Sequence, residues 1–192
     1  MNSLEKTNVV DIYNEIANSF SSTRSSPWPL VKKHLDSINS DNYPYIADIG
    51  CGNGVNQYNN NFIFESLDIS ASMCSLGPMN PIIASAIEIP YRSNTFDHVI
   101  SIACIHHLST QLRRKQAVSE IFRILKPGGT AFISVWSEQT RYGSGDQLIK
   151  WKTENTLRYY HLFSPKELYE TFRGYNFTCQ EDHNNYFITF TK

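Results

Sequence analysis

No stretch of the 192 residues approaches the ~20 consecutive apolar positions that a membrane-spanning helix needs. The first residues, MNSLEKTNVVDIYNE, show no apolar core of a secretion signal. Cysteine is sparse. Cys51, Cys74, Cys104 and Cys179 are scattered without any C-x-x-C, which argues against a disulfide framework or a thiolate zinc site and for buried thiols. The expected setting is a reducing intracellular compartment, the cytoplasm first and the nucleus second. An excess of either charge is also lacking: 17 Lys and Arg against 18 Asp and Glu give a net charge of −1, with pI ≈ 6.6. A chain that grips a polyanion over its whole surface would be more basic, so any positive region has to be a local patch or be shared with a partner. Low-complexity segments are few, and 41% hydrophobic content fits one globular domain, residues 1–192, with a full core.

What the chain does have is YIADIGCGNG, Tyr45 to Gly54. A short apolar run broken by Gly50, Gly52 and Gly54 predicts a buried parallel strand ending in a tight turn, where glycine lets the backbone fold back and approach a ligand. Dinucleotide folds space these glycines G-x-G-x-x-G and rest a pyrophosphate on the next helix. Here they alternate, and Asp48 lies two residues before the first. An acid there repels a pyrophosphate but can accept hydrogen bonds from an ammonium group. Twenty residues on, the run from Phe62 to Leu67 ends in Asp68, where doubly wound folds place an acid for ribose hydroxyls. The pair points to S-adenosylmethionine. With FDHVIS at Phe96 to Ser101 and LKPGG at Leu125 to Gly129 added, the chain resembles class I S-adenosylmethionine-dependent methyltransferases: a Rossmann-like, seven-stranded, mostly parallel sheet in the order 3-2-1-4-5-7-6.

Taken in order, Asn8 to Phe20 has apolar positions at helical spacing, Ser21 to Pro29 reads as a loop stiffened around Trp28, and Leu30 to Ile38 as a second helix. Residues 1–40 are thereby expected to form N-terminal helices and a lid over the cofactor. NQYNNN, Asn56 to Asn61, is too polar and short for a good helix. Ser70 to Leu76 is a short helix, and Pro81 to Ala86 is strand three, an apolar edge strand that needs cover. Val99 to Cys104 is strand four, followed by IHHLS at the ligand-binding end of the sheet. Gln111 to Leu125 is a helix stopped by Pro127-Gly128-Gly129, with strand five from Thr130 to Trp136. Arg141 to Asn155 reads as loop, part of a substrate-facing insertion over 137–163. Ser164 caps a helix running through Arg173, with Glu167 completing the box. Phe177 to Gln180 and Tyr186 to Thr191 close the sheet as an antiparallel pair.

More specific strings are also present: YNEIANSFSSTRSSPWP, IADIGCGNG, SLDIS, SIACIHHLSTQLRR, EIFRILKPGG, VWSEQ and RYYHLF. On these the sequence resembles, over nearly its whole length, the eukaryotic tRNA wobble-uridine carboxymethyl methyltransferases, both the fungal stand-alone enzyme and the methyltransferase domain of its AlkB-fused animal relative. The resemblance implies methyl transfer from S-adenosylmethionine to the carboxylate of 5-carboxymethyluridine in tRNA, giving the methyl ester. It also implies a small zinc-binding activator subunit beside strand three, near Pro81 to Ala86. No metal is expected in this chain itself.

For such a reaction the resemblance puts Asp48, Gly50, Gly52, Gly54, Asp68, Ser85, Ala86 and Ala103 at the cofactor. The position after strand three, where related enzymes often carry an acid near the adenine, reads Ser85-Ala86, so that contact is weaker or made by backbone. A carboxylate is already nucleophilic at neutral pH, so groups that orient it without holding it hard are expected. The candidates are Arg24, His106, Arg158 and His161, with Trp136 and Tyr159 as walls for a flipped base and Arg113 and Arg114 for phosphate. Bland alternatives stand beside these. One of His106 and His107 is structural, His106 being the one assigned to the site; His161 and Trp136 are equally at home in a core; the two arginines suit a solvated helix face. Two other functions use the same fold: a small-molecule or protein-carboxyl methyltransferase, and a catalytically silent cofactor-binding scaffold.

Overall fold

The computed structural model describes residues 1–77 and 81–192, with the side chains of 153–155 excepted. Strand β1 (Tyr45–Ile49) is hydrophobic on both faces apart from Asp48, and four of its five residues are buried, as a central parallel strand requires. Around it β2 (Ile63–Asp68), β3 (Ile82–Ile83), β4 (Phe96–Ile102), β5 (Leu125–Trp136), β8 (Phe177–Asp182) and β9 (Asn185–Thr191) form one sheet in the order β3-β2-β1-β4-β5-β9-β8. The first five strands are parallel and β9 is antiparallel to both neighbours. With the separate hairpin β6 (Gly145–Trp151) and β7 (Thr153–Leu162) set aside, this is the expected class I methyltransferase order 3-2-1-4-5-7-6.

Both faces are covered. On one, α5 (Gln111–Ile124) and α6 (Pro165–Phe172) bury Ala117, Val118, Ile121, Ile124, Leu168 and Phe172 against β1, β4 and β5. On the other, α3 (Pro29–Asp36) sends fully buried Val31 and Leu35 onto Ile46, Ile100 and Phe132. Truncating Leu35 to alanine is worth about 2–5 kcal/mol of stability. The α6 capping box forms as its sequence predicts, with Ser164 Oγ accepting from the Glu167 amide and Glu167 accepting from Ser164.

Several boundaries differ from expectation. The N-terminal helix starts earlier, running as α1 (Ser3–Glu5), a π-helical turn (Lys6–Asp11) and α2 (Ile12–Ser21). Strand three is two residues, not six: Pro81 has no N–H to donate, and Ser85 turns away to bridge Glu88. The β5 strand takes in the whole LKPGG segment, because Leu125 leaves the helix in an extended conformation. The largest difference is at Arg141 to Asn155, read as loop. Its polar residues alternate along β6, and the hairpin with β7 buries Ile149, Tyr160 and Leu162 in a small core of its own. Nor are all the thiols buried: Cys51 and Cys74 are, Cys104 is half-buried and Cys179 is exposed.

Candidate functional site

Gly50, Gly52 and Gly54 all have positive φ, and the amides of Gly50 and Cys51 donate to Leu67 O at 2.8 and 3.0 Å, which folds the turn back over the end of β2. A Cβ at Gly50 would lie 2.5 Å from Cys104 Sγ, so no side chain fits there. Asp68, at the end of β2, accepts from the Gly52 amide at 2.9 Å and from the Ser70 amide at 2.8 Å. Burial pushes its pKa up while those amides pull it down.

This turn is the floor of a cleft. Gly50, Gly52 and Asp68 line it, as do Ser85, Ala86 and Ala103 at the ends of neighbouring strands. Gly54 and Asp48 do not. Asp48 stands behind the turn, fully buried, with Oδ2 accepting from Gln57 Nε2 at 3.1 Å and Oδ1 without a partner. Burial, reinforced by the charge of Asp68 and opposed by Gln57, raises its pKa to about 7. An orphaned acceptor under a turn that excludes side chains, with a second acid beside it, fits a ligand that is cationic at one end.

The opposite wall is the N-terminal helix. Glu5, Val9, Val10, Tyr13 and Phe20 face the cleft, followed by Arg24 and Trp28 from the loop behind. The helix is fastened to the floor: Asn14 Oδ1 accepts from Ser70 Oγ and the Ser72 amide, and Asn53 Nδ2 donates to Ser21 Oγ and Arg24 O. Behind it stands the β6–β7 hairpin, joined through Trp151 Nε1 donating to Ser19 Oγ and Asn8 Nδ2 donating to Leu157 O.

Of the four residues expected to orient a substrate, Arg24 alone lines the cleft; its guanidinium lies 4.6 Å from the Phe20 ring centroid. The histidine pair is the reverse of the expectation. His107 is on the wall and His106 is fully buried, its Nδ1 accepting from the Trp136 amide and its Nε2 hydrogen left without an acceptor. A 3-10 turn, Ile105–His107, sets the two rings at 72° and so separates their roles. Burial depresses the pKa of both, His107 to about 4. Arg158 lies one layer behind Tyr13, buried between the Trp151 and Tyr160 rings, with no carboxylate partner among the described residues and its Nε unsatisfied. His161 is far from such a role. It packs between Asp146, 2.7 Å from Nδ1, and Glu167 under α6.

The substrate walls need correction as well. Alternation along β7 sends Tyr159 to the side of His161, where its hydroxyl donates to Asp146 at 2.7 Å and the ring is buried. Tyr160, not expected at the site, stacks on Trp136 at 4.5 Å instead. Arg113 is committed to buried Glu5 at 2.5 Å, and Arg114 is buried with Nη1 donating to Leu108 O, so neither is a free phosphate contact. Tyr13 is not singled out by the sequence because an amphipathic helix face looks structural, and of the strand-end pair His107 is the member assigned the structural role there. No cluster of three or more His, Cys, Asp or Glu that could hold a metal, and no helix long and apolar enough to cross a membrane, occurs among the described residues.

A family model described as a methyltransferase domain matches residues 47–133. The fission yeast Schizosaccharomyces pombe tRNA (carboxymethyluridine(34)-5-O)-methyltransferase is 35% identical over 204 residues, covering 86% of each chain. The Arabidopsis thaliana protein of the same name is 42% identical over 77% of this chain, and mouse ALKBH8, also so named, 41% over 72%. This chain spans 37% and 21% of those two longer proteins. Among solved structures, the S-adenosylmethionine-bound amino pentose methyltransferase CalS10 of Micromonospora echinaspora superposes with a TM-score of 0.71 at 16% identity, over 92% of this chain and 97% of that one. The complex of the Haloferax volcanii Trm112 methyltransferase activator with its methyltransferase gives 0.70 at 16% identity, over 95% and 96%. These two establish the fold.

Proposed function

The chain belongs to the tRNA (carboxymethyluridine(34)-5-O)-methyltransferase family, and from that premise we propose that it methylates the carboxylate of 5-carboxymethyluridine at the wobble position of tRNA, using S-adenosylmethionine. The observation that carries this reading is the pairing of opposites across one cleft. Asp68 lies on the glycine-turn floor with Asp48 buried behind it, and Arg24 lies on the opposite wall with Arg158, which has no carboxylate partner among the described residues, buried one layer behind the helix.

S-adenosylmethionine supplies a methyl group on a positively charged sulfur. Asp68, on the cleft floor, offers its remaining lone pairs to hydroxyls, the backbone of Gly50 and Gly52 leaves room for close approach, and Asp48 supplies negative charge from behind the turn. Ser85, Ala86 and Ala103 give that end small, uncharged walls. The acceptor needs no general base, because a carboxylate has no proton to lose at neutral pH. The task left to Arg24, His107 and the tyrosines is alignment and exclusion of water. Burial holds His107 neutral, so it competes for no proton.

A further part of the proposal is a small zinc-binding activator paired to the β3 edge, and what supports it is the state of that edge. The β3 strand meets only Leu67 and Asp68 of β2, leaving the earlier half of β2 with β1 as its strand neighbour among the described residues. Ile63 and Ile83 are 51% and 62% exposed there, an apolar edge of the kind that proteins otherwise protect. The test is mass spectrometry of nucleosides from 5-carboxymethyluridine-bearing tRNA after incubation with the chain and S-adenosylmethionine, with and without the activator. Ester formation that needs RNA, and is raised by the activator, supports the proposal. Methylation of small acids or proteins in the absence of RNA overturns it.

A further inference from the structure

Tyr13 has only a general share in alignment, yet its hydroxyl is the meeting point of a hydrogen-bond chain whose direction is fixed from both ends. It lies 3.1 Å from His107 Nε2 and 3.2 Å from the Tyr160 hydroxyl. His107 Nδ1 lies 2.7 Å from Tyr159 O, which can only accept, so Nδ1 carries the hydrogen of the neutral ring and Nε2 is a bare acceptor. Tyr13 therefore donates to Nε2. At the other end Arg158 Nη1, which can only donate, lies 2.7 Å from the Tyr160 oxygen, so the Tyr160 hydrogen turns toward Tyr13. The order is Arg158 to Tyr160 to Tyr13 to His107 to the Tyr159 carbonyl. At its head is a buried guanidinium with no carboxylate among the described residues, and of its members Tyr13 and His107 line the cleft.

Resting on the proposed carboxylate substrate, the geometry points to Tyr13 as the residue that recognises that carboxylate, its hydroxyl turning from His107 Nε2 to a substrate oxygen while Arg158 acts only through Tyr160. A guanidinium in direct contact would stabilise a charge that vanishes as the ester forms, and so would raise the barrier. A neutral hydroxyl polarised from behind aligns the oxygen and gives it up at less cost. Burial keeps the Tyr13 hydroxyl protonated, raising its pKa against the opposing charge of Arg158. Because Tyr13 rides on the helix that Asn14 fastens to Ser70 and Ser72, the donor is in place only when that helix closes the cleft. Recognition and water exclusion thus come from one element.

The test compares two anticodon stem-loops, one with 5-carboxymethyluridine and one with its methyl ester, binding to enzyme saturated with S-adenosylhomocysteine. The wild type should prefer the acid. Tyr13→Phe should cut the acid-to-ester affinity ratio roughly ten- to hundredfold, the range for a hydrogen bond to a charged group, with S-adenosylhomocysteine affinity within about twofold. Tyr160→Phe keeps every ring contact but unlinks Arg158, and should move the ratio the same way by less; it carries the test if the first variant does not fold. Equal weakening of both stem-loops, or an unmoved ratio, makes Tyr13 a structural prop and overturns the inference. A wild type that forms no ester on the acid stem-loop removes the proposed function itself, which separates the two failures.

Discussion

The two sides of the cleft differ in the kind of hydrogen-bonding group they leave over. At the glycine turn the spare group is an acceptor, Asp48 Oδ1, backed by the buried carboxylate of Asp68. Around the hairpin the spare groups include two donors, Arg158 Nε and the Nε2 hydrogen of His106. Buried orphans are costly, and these three, set behind the cleft walls rather than on them, bias the two ends oppositely: toward positive charge at the turn and negative charge at the hairpin. The sides also differ in how they are built. The turn is held by backbone hydrogen bonds and φ angles, whereas the hairpin side is held by interlocking side chains, Trp136 on Tyr160 and Arg158 between Trp151 and Tyr160.

The strongest way to break this contrast is at the turn. Gly50→Ala forces a Cβ into Cys104 at a positive φ and should cost about 3 kcal/mol or more of stability along with cofactor binding, checked by denaturant melts and calorimetric titration. On the other side, Arg158→Met fills much of the same space without charge. Relief of a buried cation should leave stability nearly unchanged, while single-turnover ester formation falls roughly tenfold, less than for Tyr13→Phe because Arg158 acts only through Tyr160.

A subtler test uses pH. Asp48 holds its proton more tightly in the folded protein, near 7, than in the unfolded chain, near 4, so between those values the folded state binds more protons. Stability of the ligand-free protein should therefore fall as pH rises through that window and stay lowered above 7, by about 1 kcal/mol or more. Thermal melts from pH 5 to 8 should show the fall in the wild type, a flatter profile in Asp48→Asn, and a reduced fall with S-adenosylmethionine bound. The smallest effect belongs to a residue on neither side. Ser164→Ala breaks the α6 capping box and should cost about 1 kcal/mol in a melt, with the cofactor dissociation constant unmoved.

The same contrast explains what the sequence revealed. A turn built from backbone geometry needs glycines at fixed spacing and acids at strand ends, so Gly50, Gly52 and Asp68 could be read directly, and with FDHVIS and LKPGG they carried the class I resemblance that implied the strand order. A wall built from packed side chains leaves no spacing rule. Arg24, named on the family resemblance, does line the cleft, but His106 and His107 are adjacent in the chain, and only the 3-10 turn decides which one faces it. Tyr159 and Tyr160 are likewise adjacent, and the hairpin register sends them to opposite faces. The polar residues of β6 hid the strand because their partner is another strand of the insertion rather than the main core.

The division of the cleft into one side for the cation and the other for the anion is tested most directly by titrating S-adenosylmethionine calorimetrically into Asp68→Asn and Arg158→Met side by side. It predicts a dissociation constant raised roughly ten- to hundredfold in the first and within about twofold of wild type in the second. Equal losses in the two variants would contradict it.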